Sequence, residues 1–353
     1  MFIALRDLRF ARGRFALMGA VVALITLLVV LLAGLTSGLA RESVSGVRDL
    51  PATTAFAFGT PAAGQQLNVA DSRVDADQVR RWAGQHGVAE ANPLGIAPAR
   101  LRIGGQEVAV TAFGAEPGSG IAPPSLADGR IVASTALTDK YRDGRAELGG
   151  LSYSVTPAAT AVSFSHTPVV WLPLADWRKL DAARGGYASV IALNADSGAD
   201  LAAGDAAART VTKSGSAALS AVGSYQAENG SLTLIQVLLF AVSALVIGAF
   251  FTVWTVQRAP DLAVLKAIGA SNGYLVRDAL TQAIVVLLAG GIAGAGVATG
   301  LGVLAAQAVP FQVDVTTTLV PLALMVAVGV LGAAIAVRRI TSVDAINALG
   351  AAR

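Results

Sequence analysis

The stretch RAPDLAVLKAIGASNG, Arg258 to Gly273, decides how this 353-residue chain is read. It is short, polar and basic, and it lies between two long apolar runs. Pro260 suits a first helical turn, where its missing N–H has no intrahelical partner to lose. Leu262, Leu265 and Ile268 follow at a spacing of three, which puts them on one helical face. Asp261 and Lys266 fall off that stripe, and Gly269, Ser271, Asn272 and Gly273 supply stop-and-turn chemistry. The pattern predicts a short amphipathic helix on a membrane surface. A plain connecting turn is the other reading of the same residues.

Composition points the same way. The chain is 54% hydrophobic and 14% charged, with a mean hydropathy of +0.62, whereas an ordinary soluble domain carries about 25% charged residues. A net charge of +3, without a clustered basic patch, argues against a nucleic-acid partner. There is no cysteine, so disulfides, cysteine-ligated metals and thiol catalysis are excluded. Two histidines, His86 and His166, cannot build a three-histidine site within one chain.

Working outward from 258–273, the expected fold is membrane α-helical. It has four transmembrane helices in a one-plus-three arrangement, a large extracytoplasmic α+β domain and an N-terminal interfacial helix. Residues 1–13 place Phe2, Ile3, Leu5 and Leu8 on one broad face, with Arg6, Arg9 and Arg12 elsewhere, as in helices that lie at the lipid interface. The apolar run Phe15–Leu39 exceeds a signal-peptide core of roughly 7–15 residues and matches the ~20 that a span needs. The first span is therefore set at 14–40, with Gly34 and Gly38 as a small-residue pair suited to close helix packing. The second span is set at 231–257, the glycine-rich third at 275–308 and the fourth at 319–337. A cytoplasmic helix (258–274), an external loop (309–318) and a cytoplasmic tail (338–353) complete the membrane part.

Residues 41–230 hold most of the charges and both histidines. Here Pro51–Gln66 reads as loop and Val74–His86 as an amphipathic helix. Leu101–Phe113 reads as a hairpin about Gly104-Gly105, Ser134–Asp143 as a short capped helix, and four segments between Leu151 and Leu193 as strands. No nucleophile–base–orienter set and no G-x-S-x-G stands out.

Short-loop Lys and Arg set orientation. Arg6, Arg9, Arg12 and Arg14 precede span one; Arg258, Lys266 and Arg277 lie between spans two and three; Arg338, Arg339 and Arg353 follow span four. The loop after span three has none. Four crossings put all these residues on one side, so both termini and the 258–273 helix are expected in the cytoplasm of a plasma-membrane protein.

Two motifs carry a family resemblance. DLAVLKAIGAS, Asp261 to Ser271, resembles the coupling segment of FtsX/MacB-type ABC transporter permeases (the type VII ABC fold), with Asp261 where an acidic residue stands, Lys266 as the basic residue and Gly269 opening the turn. RRITSVDAINALG, Arg338 to Gly350, is similar to the family ending, with Ala345 in place of its Pro and with Ala348 and Leu349 kept. The resemblance covers roughly Leu232–Gly350 closely and the first helix loosely. QRAPDLAVLKAIGA looks closest to the smaller permeases, DevC-like exporters and Gram-positive heme-efflux permeases. The resemblance implies a homodimer with two copies of a separate cytoplasmic ATPase, ATP and magnesium being held on that partner. It also implies that Asp261, Leu262, Leu265, Lys266, Ile268 and Gly269 form the coupling element. The chain itself lacks G-x-x-x-x-G-K-[ST], so it has no phosphate cradle of that kind and is not expected to be an enzyme.

No expected span has Lys, Arg, Asp or Glu at its middle, which argues against a proton relay or ion coupling. Thr26, Gln236, Ser243, Thr252 and Gln282 read as packing groups. The candidate cargo residues sit at the expected outer ends: Arg41 and Glu42 after span one, Tyr225, Glu228 and Asn229 before span two. Ordinary interfacial solvation is the other reading of each. The resemblance implies ATP-driven efflux of an amphipathic cargo, with heme first and a lipid, peptide or antibiotic next. If the cargo is heme, Glu228 from each copy is a candidate oxygen ligand to iron and Arg41 a partner for the propionates. No intrinsic cofactor or metal is expected. His86 and His166 read as surface histidines deep in the external domain. The competing function is an FtsX-like relay of ATP-driven motion to an external partner.

Overall fold

The computed structural model describes residues 12–180, 183, 185–257, 264 and 268–338. They divide into two compact units, one of residues up to Gly38 together with Gly230 onward, the other Leu39–Asn229. Four helices are long and apolar enough to cross a membrane: α1 (Arg12–Arg48), α7 (Gly223–Gln257), α8 (Asn272–Ala305) and α9 (Val315–Arg338). Leu17, Leu24, Leu245, Ile292 and Ile335 are exposed on them, as lipid-facing side chains are. Their inner faces bury Phe15, Met18, Val22, Phe251, Leu287 and Met325 in one cluster, with Phe15 and Trp254 edge-to-face at 5.9 Å.

Glycines set how close these helices come. A Cβ on Gly294 would run into the backbone of Ala23, and one on Gly290 would stand 2.7 Å from the Gly19 carbonyl. The α8 glycines thus let α1 approach backbone to backbone. Gly34 and Gly38 act differently from the expected helix pair. A Cβ at these positions would collide with the Phe311 ring and the Pro310 carbonyl, so they seat the 306–314 loop. Ser37 Oγ donates to Gln312 Oε1 at 2.7 Å, and the Gln312 N–H donates to the Gly34 carbonyl at 3.1 Å. Thr316 and Thr317 N–H groups close on Asp314, so α9 starts at Val315, inside the stretch read as loop. Ser243 and Thr252 satisfy their hydroxyls on carbonyls four residues back, as packing groups do.

The other unit is α+β. Its strands are β1 (Ala55–Gly59), β2 (Val88–Ile103), β3 (Gln106–Ala115), β4 (Arg130–Ala133), β5 (Arg145–Leu148), β6 (Leu151–Pro157), β7 (Ser163–Phe164), β8 (Thr167–Pro173), β9 (Val190–Ala195) and β10 (Thr210–Ser214). Helices α2 (Ala76–Ala83), α3 (Thr135–Thr138), α4 (Leu174–Trp177), α5 (Leu201–Ala208) and α6 (Gly215–Leu219) lie among them. The sheet order is β10-β1-β9-β2-β3-β8-β4-β6-β5, and β5 pairs again with β2. Six strands therefore close into a barrel, which removes their free edges, while β9, β1 and β10 extend the sheet from the first half of β2. The 16-residue β2 serves both parts, pairing β9 from Val88 to Leu94 and β3 from Gly95 to Ile103.

Several elements differ from expectation. Pro51–Gln66 contains β1, an inner strand whose residues Ala55, Phe56, Ala57 and Phe58 are all buried. The hairpin about Gly104 and Gly105, both at positive φ, is much longer than Leu101–Phe113 because β2 starts at Val88. Ser134 precedes α3 without capping it through its side chain; its Oγ accepts from the Val162 N–H instead. Helix α2 does form, with Asp75 and Gln78 in a reciprocal capping box and Trp82 fully buried. Gly95 and Gly114 face each other across β2 and β3, and the Trp177 side chain lies against both positions.

Candidate functional site

Within the α+β unit, the last turns of α1 and the first turns of α7 pack on a shared core. Val44 and Val47 of α1 join Phe56, Phe113, Trp171 and Val222 in it, and Tyr225 of α7 packs against it. This packing turns Glu42 and Ser43 of α1 and Glu228 of α7 toward the β7–β8 turn, Ser165-His166. His166 Nε2 lies 2.7 Å from Glu228 Oε1 and 3.0 Å from Ser43 Oγ, and Ser43 Oγ donates to Glu228 Oε2 at 3.3 Å. His166 Nδ1 is 3.5 Å from Glu42 Oε2. One imidazole thus stands between two carboxylates supplied by two different helices.

The turn that presents it is unusual. Ser165 and His166 have φ of 46° and 62°. A two-residue hairpin of this kind normally takes Asn-Gly, because both central residues need positive φ; a non-glycine residue there costs of order 1 kcal/mol or more. The backbone is held by α1: the Ser165 N–H donates to the Ser43 carbonyl at 3.0 Å and the His166 N–H to that of Glu42 at 3.3 Å.

Of the sequence candidates, Glu42 and Glu228 are thus brought together through His166. Tyr225 is half-buried against the core, Asn229 is half-buried, and Arg41 is exposed. His166 is an exposed histidine with partners, as the sequence reads it, but it lies beside Glu228 rather than far from the candidate residues, with its side chain 32% exposed like that of Glu228. His86 is an exposed residue beyond α2. No sequence signal marked His166, whose partners lie 124 and 62 residues away. Beside the turn, a cleft of about 320 Å³ is lined by Val69, Ile96, Phe164, Ser165, Val222 and Ser224. Among the described residues no group of three or more His, Asp or Glu side chains is arranged to hold a metal ion.

At the coupling segment, Asp261, Leu262, Leu265 and Lys266 lie outside the described residues. Ile268 is 77% exposed, and its N–H donates to the Val264 carbonyl. Gly269 has φ 101°, and Ser271 caps α8 by accepting from the Tyr274 N–H, so the Gly-small-Ser run is a turn into a capped helix.

Residues 218–345 match the family described as FtsX-like permease C-terminal. The stretch is an FtsX-like permease domain, and with four helices long and apolar enough to span, the chain is an integral membrane protein similar to ABC-transporter permeases. It is similar along its length to a protein called putative hemin transport system permease HrtB from Staphylococcus haemolyticus, at 23% identity over 99% of both chains. It is also similar to an uncharacterized ABC transporter permease from Mycobacterium bovis, at 28% identity over 99% of both chains. The solved periplasmic region of MacB from Actinobacillus actinomycetemcomitans aligns with 48% of this chain and 92% of its own, at 10% identity and a TM-score of 0.33.

Proposed function

We propose that this chain is the membrane subunit of an ABC efflux transporter that works as a homodimer with two copies of a separate cytoplasmic ATPase. Both termini lie in the cytoplasm of a bacterial plasma membrane, and the α+β domain is external. The cargo is amphipathic, heme being the first candidate. The observation that carries this reading is the meeting of Glu42, His166 and Glu228 where the first and second long helices enter the α+β unit. Carboxylate and imidazole are both iron-ligating groups, and exposed Arg41 next in sequence suits a propionate. Similarity to a hemin transport permease supports the same cargo. The coupling segment, from Asp261 to Gly269, is the proposed ATPase contact.

A relay to an external protein partner calls for an exposed apolar patch on the α+β domain. Among the described residues of that unit, Leu151 alone is an exposed large hydrophobic side chain, and this favours export. The test is a heme titration, followed by absorbance, of the purified protein with its ATPase. The expected outcome is a saturable spectral change in the parent that Glu228→Ala abolishes. Absence of binding in the parent removes heme and leaves lipid, peptide or antibiotic as cargo.

A further inference from the structure

We infer that the Ser163–Thr167 turn is a clasp between the ends of α1 and α7, and that His166 is the positioning residue that fixes the Glu228 carboxylate. The inference rests on the reading of Glu228 as the cargo-facing group.

The two attachments of the turn differ in kind. Toward α1 the main chain of the turn makes four hydrogen bonds, beside the contacts of the His166 ring with Ser43 Oγ and Glu42 Oε2. Ser45 Oγ donates to the Ser163 carbonyl at 3.1 Å and accepts from the Ser163 N–H at 2.9 Å. The Ser165 and His166 N–H groups donate to the carbonyls of Ser43 and Glu42. All four involve the main chain of the turn, and Ser43 and Ser45 are buried. Toward α7 the contacts of the turn among the described residues are between side chains: His166 Nε2 to Glu228 Oε1, and Ser224 Oγ donating to Ser165 Oγ at 3.2 Å. The turn is therefore part of the α1 side, and it reaches α7 through groups that water can replace.

With the ring proton on Nε2, His166 donates to Glu228 Oε1, with Ser43 Oγ as a second, longer acceptor, and Ser43 Oγ donates to Glu228 Oε2. Both carboxylate oxygens are thus met by donors from the α1 side. A carboxylate held by such outer partners is presented to a ligand in one orientation. The positive φ at Ser165 and His166 is the local deformation that brings the ring to this place.

The absence of cysteine allows a test without cargo. Nitroxides are placed at Arg48→Cys on α1 and Ala227→Cys on α7, both exposed positions, in the full chain with its ATPase. Pulsed EPR is expected to give one narrow distance distribution in the parent, a broad one in His166→Ala, and a narrow one again in His166→Gln, whose amide still donates. Glu228→Ala, which leaves the turn untouched and removes the acceptor, is expected to broaden it as well. In the heme titration His166→Ala is expected to weaken binding about tenfold, as loss of an outer partner does, with recovery in His166→Gln. An unchanged distribution in both His166→Ala and Glu228→Ala overturns the clasp, and unchanged or tighter heme binding in His166→Ala overturns the positioning role. If the parent binds no heme, the cargo reading fails while the distances still decide the clasp.

Discussion

Trp82 shows how a single residue organises one part of the α+β unit. Its ring is fully buried against Gly204, where no Cβ fits, and Nε1 donates to Thr210 Oγ1 at 3.0 Å. Thr210 in turn donates to Asp205 at 2.7 Å. Trp82→Ala removes the packing and leaves this polar chain short of a donor, so a loss of about 3–5 kcal/mol is expected, read as a fall in thermal midpoint. Trp82 was legible in the sequence, because its spacing from Val74 and Val79 set the buried face of a helix. His166 was not: a Ser-His pair at a hairpin turn has no propensity signal, and its meaning comes from residues far along the chain. At residue scale the sequence therefore marked two of the three side chains that meet there. Glu42 and Glu228 stood out as charges next to apolar runs, whereas the group between them had no such marker.

At the scale of elements, apolar runs made the four spans plain, but hydropathy says nothing of where a helix ends once it has left the apolar stretch. Helix α1 continues through ARESVSGVR to Arg48, because Val44 and Val47 find a core there. Strand β1 was lost to the reading because Ala, Gly and Pro around it mimic loop chemistry, while inner-strand burial on both faces erases the alternation that marks a half-buried strand. Among the α8 glycines, Gly290 and Gly294 pack against α1, whereas a Cβ on Gly296 or Gly300 would meet nothing. Gly294→Leu, forced against the Ala23 backbone, is expected to cost at least about 1–3 kcal/mol and to lower the yield of monodisperse protein. At the start of α9, the Thr316 hydroxyl, then the Thr317 and Thr316 N–H groups, hold the Asp314 carboxyl below the usual carboxylate range. A lowered folded value means that this capping is fully present above the unfolded carboxylate's pKa and is lost as pH falls through the folded one. Protection of the Thr316 and Thr317 amides, relative to their intrinsic exchange, is expected to hold at about pH 6 and to vanish at about pH 2. Protection that persists at the lower pH would show that Asp314 does not cap the helix.

Across the whole molecule, length and composition were enough for four spans and one α+β insertion, since the charged residues are concentrated in one block. The closed barrel was out of reach. Closure depends on β5 finding β2 about forty-five residues back in the chain, and strand order is a matter of long-range pairing that local patterns do not encode. The long β2 ties the barrel to the flanking sheet through one uninterrupted length of backbone. Neither part can melt without exposing half of that strand. Hydrogen exchange should therefore report residues 88–94 and 95–103 with the same opening free energy, as one cooperative foldon. Two different protection levels along β2 would instead mark a mechanical joint at Leu94-Gly95. In the first case a pull on either end of the α+β unit is carried through it undiminished, so this part of the protein is a stiff transmission rod rather than a spring.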